Sequence, residues 1–222
     1  MIRVNRASLR YSWLTYRRDQ LWFPPVVLAI FAVILLVMRH PAIRFNIARA
    51  YLGFIVPLIG GIMAAYAVLD DPALELCFAT PVRPEQILLD RVGLILAIQA
   101  ACAVVFQLLA LSLGVSLSPL GGVLGAQLAW LLPALTLTAL GTAGSLAGAQ
   151  TMTGAFMVGG VWLVELMTKR WFELNARYLY IFMGVLVPGH PDLVINRCVL
   201  AVVALALLLF AWVLLHRQER YI

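Results

Sequence analysis

Glu165 poses the sharpest chemical question in this chain. It sits in Val161-Trp162-Leu163-Val164-Glu165-Leu166-Met167, an acid inside an apolar run. A carboxylate in such a run is costly in hydrocarbon and marks a candidate site, either on a translocation path or against a cationic substrate. The run also ends two residues later, so the same acid would serve as an interfacial partner for Lys169 at i+4 or for Arg170. Ser145 and His190 would suggest a hydrolytic dyad. The flanking Gly141-Thr142-Ala143-Gly144-Ser145-Leu146 lacks Gly-x-Ser-Gly, however, and the topology argued below separates the pair by ~30 Å of hydrocarbon. His40, His190 and His216 are scattered, with no HExxH. Cys77, Cys102 and Cys198 show no metal or redox spacing, and Cys102 reads as a small core residue. The single lysine, Lys169, has no GxxxxGK[ST] around it, so nucleotide hydrolysis would have to come from another chain. No cofactor and no metal are expected on this one.

The densest polar stretch is residues 70–91, lodged between two apolar runs. It carries Asp70, Asp71, Glu75, Glu85 and Asp90 against Arg83 and Arg91. Asp71 is placed to cap a helix, with Pro72 at its first position and Glu75 near the positive end of its dipole. Leu74, Cys77 and Phe78 then fall at i, i+3 and i+4 on one apolar face, and Thr80-Pro81 stops the helix. The expected product is a short amphipathic helix over residues 70–83. A net acidic segment suits an anionic lipid surface poorly, which favours a groove on a protein partner. The chain restarts at Arg83-Pro84-Glu85.

The elements that must hold these residues are apolar helices. Of 222 residues, 64% are hydrophobic and only 12% charged, far from the composition of a soluble globule. Runs of about 20 apolar residues are long enough to span a bilayer. The expected fold is all-α: one polytopic membrane domain over residues 1–222 with six spans. These fall at about 21–38, 48–69, 84–113, 123–143, 152–167 and 193–215. Residues 1–20 place Arg3, Arg6, Arg10 and Arg17 at helical spacing, with Trp13 among the apolar residues elsewhere. That pattern predicts an amphipathic helix in the headgroup layer, and no cleaved signal peptide. Residues 168–192, with Trp171, Phe172, Tyr178, Tyr180 and Phe182 among charges, are too apolar for a solvated loop and too interrupted for a span. They read as short helices at the outer face. Gly144 and Gly148 form a GxxxG pair, and Gly159-Gly160 follows.

The net charge is +6, and the basic residues gather at span ends, which points to topology and headgroups rather than nucleic acid. Nine lie on the side of the N-terminus and seven on the other. With the dense N-terminal cluster, that places both termini and residues 70–83 in the cytoplasm.

The stretch Leu74-Glu75-Leu76, Thr80-Pro81-Val82, Ile87-Leu88-Leu89 and Arg91 resembles the segment between the second and third spans of type-2 ABC exporter permeases. It differs at Pro72, where glycine is common there, and at Asp90, where a small residue is usual. The N-terminal helix, the six spans, the semi-apolar outer segment and the basic C-terminus extend the resemblance along the chain. The resemblance implies a permease subunit in a bacterial inner membrane, paired with a second bundle, identical or related. A separate ATPase would bind the ATP and Mg. It also implies that Asp71, Leu74, Glu75, Leu76, Phe78, Thr80, Pro81 and Arg83 touch that ATPase, as would the N-terminal helix with Arg6, Arg10, Trp13 and Arg17. The substrate would be hydrophobic or amphipathic: a drug-like molecule, a peptide or a lipid. The competing expectation is a secondary transporter or a membrane scaffold with no ATPase, although no internal repeat of the transporter kind is visible.

Overall fold

The computed structural model describes residues 21–67, 69 and 84–216. Among them every regular element is helical. Helix α1 is Phe23–Val37, α2 is Pro41–Tyr66, α3 is Pro84–Ser112, α4 is Gly122–Gly148 and α5 is Thr151–Met167. The short α6 (Lys169–Asn175) and α7 (Met183–Leu186) precede α8 (Leu193–Leu215). Four of these, α2, α3, α4 and α8, are long and apolar enough to cross a membrane, and a fifth joins them if α5 and α6, bent by 84°, form one span. The first expected span, 21–38, corresponds to α1. At 15 residues it is about 22 Å long, short of the ~30 Å hydrocarbon core.

Successive long helices run back and forth between two ends. At one end, where α2 stops and α3 starts, Ala67, Leu88, Leu146 and Leu214 share one buried cluster. At the far end, Ala48, Ala110, Leu117 and Ala126 share another. Helix α4 is the axis, packed against α2, α5 and α8. Its approach to α2 is backbone to backbone: a Cβ on Gly141 would fall 2.1 Å from the Gly61 carbonyl oxygen, and one on Gly154 of α5 would fall 2.4 Å from that of Gly141. Three helices therefore meet where small residues remove the side chains that would hold them apart. Of the expected glycine pair, Gly144 faces Gly154 and Met157, and Gly148 faces Thr153. Gly159 and Gly160 have open space where a Cβ would stand.

Helix α2 corrects the expected second span. It begins at Pro41, seven residues before position 48, and so takes in Arg44. Pro41 fits the first helical turn, and Arg44 reaches past the helix end to the Leu113 carbonyl at 3.1 Å, so its charge does not interrupt the helix. Within α2, Tyr51–Ile55 form a π turn directly before Pro57. Proline has no N–H and its ring clashes with the carbonyl four residues back, so the ladder shifts register, with the Val56 N–H reaching the Tyr51 carbonyl.

Helix α3 buries Leu88, Val92, Ile95, Gln99, Ala103, Phe106 and Ala110, a stripe at three- and four-residue steps. It ends in a Schellman motif: Gly114, at φ +76°, donates to the Leu111 carbonyl, and Val115 donates to that of Ala110. Helix α4 ends in the same way, but the left-handed position is Ala149, at φ +50°. There the Gln150 N–H reaches the Ser145 carbonyl.

Candidate functional site

The residues expected to touch a partner, Asp71 through Arg83, and those of the N-terminal helix, Arg6, Arg10, Trp13 and Arg17, lie outside the described residues. The frame around residues 70–83 is described. Arg91 is 4% exposed, and its Nη1 donates to the Ala67 carbonyl at 3.0 Å. That carbonyl belongs to the end of α2, where carbonyls lack helical partners and the dipole is negative. A guanidinium cannot shed its charge, so burying it requires such acceptors. The sequence places Arg91 at the opening of a span. The structure makes it the clamp that ties the end of α2 to the start of α3.

Glu165 lies at the other end of the bundle. It is 3% exposed, and its carboxylate accepts the backbone N–H of Ile181 at 2.8 Å and that of Phe182. Lys169 turns instead to Glu173, at 3.5 Å. The acid is thus held by backbone donors of the segment that follows α6. Other polar groups pin the same segment. The Asn196 Nδ2 donates to the carbonyls of Arg177 and Tyr178 at 3.1 Å and of Tyr180 at 2.9 Å. Arg177 meets Asp192 at 3.0 Å. Trp162, one turn before Glu165, donates its indole N–H to the Phe54 carbonyl in the π turn, at 3.0 Å. Tyr180, Ile181, Phe182 and Met183 are buried beneath this lattice. Burial pushes the Tyr180 phenol up, and the nearby carboxylates of Glu165 and Glu173 add to the shift, so it stays a neutral hydroxyl.

Ser145 is wholly buried and gives its hydroxyl to the Thr142 carbonyl at 3.0 Å. Its neighbourhood is the end where α2 stops and α3 starts, beside Gly154. His190 lies at the far end, in the turn before α8, with its ring 3.8 Å from Asp192. The two do not meet.

The structure also brings forward three glutamines that the sequence reading passed over. Gln99 is 1% exposed, and both of its amide atoms lack a hydrogen-bond partner among the described residues. Its amide fills the space that a Cβ on Gly60 would need. Gln107 and Gln127 pair across α3 and α4 at 2.6 Å, and the Trp130 indole donates to Gln127 at 2.8 Å. Gln99 and Gln107, eight residues apart, fall on one broad helix face; that spacing was the available signal.

No family model matches the chain, and no curated protein or solved structure matches it either.

Proposed function

We propose that this chain is the membrane-embedded permease subunit of a type-2 ABC exporter in a bacterial inner membrane, with six spans and both termini cytoplasmic. Two such bundles, identical or related, would pair and dock on separate ATPase subunits that bind ATP and Mg. The substrate would be hydrophobic or amphipathic and would move outward. The observation that carries the reading is the mount of residues 70–83. In the sequence an acidic stretch joins two helices whose ends Arg91 clamps together. A push on that connection reaches α2 and α3 as a unit, and α2 hands it to α4 and α5 through their glycine contact. A bundle of rigid helices with two packings can turn such a push into a change of access.

The test is affinity purification in mild detergent. A nucleotide-hydrolysing chain is expected to co-purify with the wild type. It should be lost from Glu75→Lys and from Leu74→Asp/Phe78→Asp, while membrane insertion stays intact. Co-purification unchanged by those substitutions would count against the reading. Topology has its own check. Cys198 is exposed and Cys102 buried. In a Cys198→Ala background, an impermeant thiol reagent applied to intact cells should therefore leave Cys77 unlabelled.

A further inference from the structure

The far end of the bundle carries a cleft of about 400 Å³ between the last turns of α3, the loop after it and the first turns of α4. That volume lies in the range of small-ligand sites. Its two sides differ. Leu108 and Val123, which line it, are strongly exposed apolar residues, so its open side is apolar and suited to an acyl chain. Its inner wall holds the amides of Gln107 and Gln127, and its loop side holds the hydroxyls of Ser116 and Ser118, 2.6 Å apart. No charged residue lines it.

The amide pair has capacity to spare. Gln107, 6% exposed, accepts from Gln127 at 2.6 Å, but its own Nε2 reaches Gln127 Oε1 only at 3.4 Å. That oxygen already takes the Trp130 N–H at 2.8 Å. A hydrogen bond of 3.4 Å is weak, and an amide nitrogen has two protons to give. Both glutamines stand five residues from the nearer helix end, Ser112 for Gln107 and Gly122 for Gln127. That is about 7–8 Å of depth along the helix. A charged headgroup at that depth, with no counter-charge in the wall, would bear an uncompensated desolvation cost.

We propose that this cleft binds a single-chain amphiphile drawn from the bilayer. Its head is uncharged and hydroxyl-bearing, of the monoacylglycerol type, and it accepts from Gln107 Nε2 while its chain lies along Leu108 and Val123. This does not depend on an ATPase partner, and binding is read on the purified chain alone.

The probe is a monoacylglycerol with a photoactivatable diazirine in its chain, added to the purified chain in nanodiscs, with cross-links mapped by mass spectrometry. Two probes with the same chain, one with a phosphate head and one with a trimethylammonium head, run beside it. The uncharged probe should label α3 and α4 at the cleft about tenfold above the lipid-facing side of α8, the discrimination expected from one or two hydrogen bonds. The charged probes should show no such preference. Gln107→Leu/Gln127→Leu should remove the enrichment. So should Leu108→Trp, which plugs the mouth and leaves the amides untouched. Equal labelling of the cleft and α8 would overturn the proposal. Enrichment shared by the charged probes, or surviving both variants, would overturn it as well.

Discussion

Gln99 and Gly60 are a pair in which each residue explains the other. Gln99 occupies a core position in the α3 stripe, where its neighbours are Ile95 and Ala103. An unpartnered amide there costs about 1–3 kcal/mol. A Cβ on Gly60 would fall 1.4 Å from the Gln99 nitrogen, so Gly60→Ala forces the amide out of its place. Gly60→Ala should destabilise by about 1–3 kcal/mol, the usual cost of overpacking. Gln99→Leu, which removes the unpartnered group at similar volume, should raise the unfolding temperature in detergent. Gly60→Ala combined with Gln99→Ala should recover much of the loss, since the two share one contact. A Gly60→Ala chain as stable as the wild type would remove this account. Glu165 makes a different case. Its oxygen holds the Ile181 N–H, so Glu165→Gln, which keeps an acceptor, should change stability little. Glu165→Leu should cost about 1–3 kcal/mol by stranding that donor. Limited proteolysis should cut sooner in residues 176–192 of Glu165→Leu than of Glu165→Gln. Equal rates in the two variants would mean the carboxylate does not anchor the segment.

At the scale of elements, the helix ends carry the clearest chemistry. Gly114 is suited to the left-handed turn that closes α3, whereas Ala149 takes the same conformation with a Cβ. That strain runs to about 1–2 kcal/mol, and the greater freedom of an unfolded glycine returns part of it. Ala149→Gly should therefore stabilise the chain by about 0.5–1 kcal/mol, seen as a higher melting temperature. A lower one would mean that the Cβ packs in a way that matters more than its backbone. The long helices were legible in the sequence where apolar runs had clear punctuation. Helices α3, α4, α5 and α8 start or stop at Pro84, Gly114, Gly121, Gln150 and Asp192, close to the expected bounds. The start of α2 was not, because Arg44 and Asn46, just before the expected bound at 48, interrupt the apolar run. Whether such residues sit in a helix depends on the acceptors they find, and for Arg44 the acceptor is a carbonyl 69 positions away. The π turn was half legible. Pro57 announces a fault in the ladder, but the Trp162 indole that donates to the Phe54 carbonyl in that turn is brought near only by the tertiary fold.

For the whole molecule, composition and run length, which do not depend on packing, carry the helical class and four to five of the six expected apolar spans. The sequence reading singled out Glu165 as the costly acid, but its partners are backbone N–H groups, which no side-chain pattern encodes. It passed over Gln99, Gln107 and Gln127 because a neutral amide scarcely disturbs an apolar run, although in the folded bundle each sits at a helix interface. Arg91 belongs to a motif in the sequence and gains its clamp only from the fold.

The bend of 84° at Thr168 cuts α5 off at 17 residues, with the Gln150 turn bounding its other end. Such a segment covers only about 25 Å, while typical bilayers ask for ~30 Å. A hydrophobic mismatch of this kind draws the surrounding leaflet thin and sorts proteins toward thinner membranes. Reconstituted into phosphatidylcholines of graded acyl length, the chain should be most heat-resistant in short-chain lipid and lose that resistance as the bilayer thickens. Indifference to chain length would mean that α5 never meets lipid over its full height.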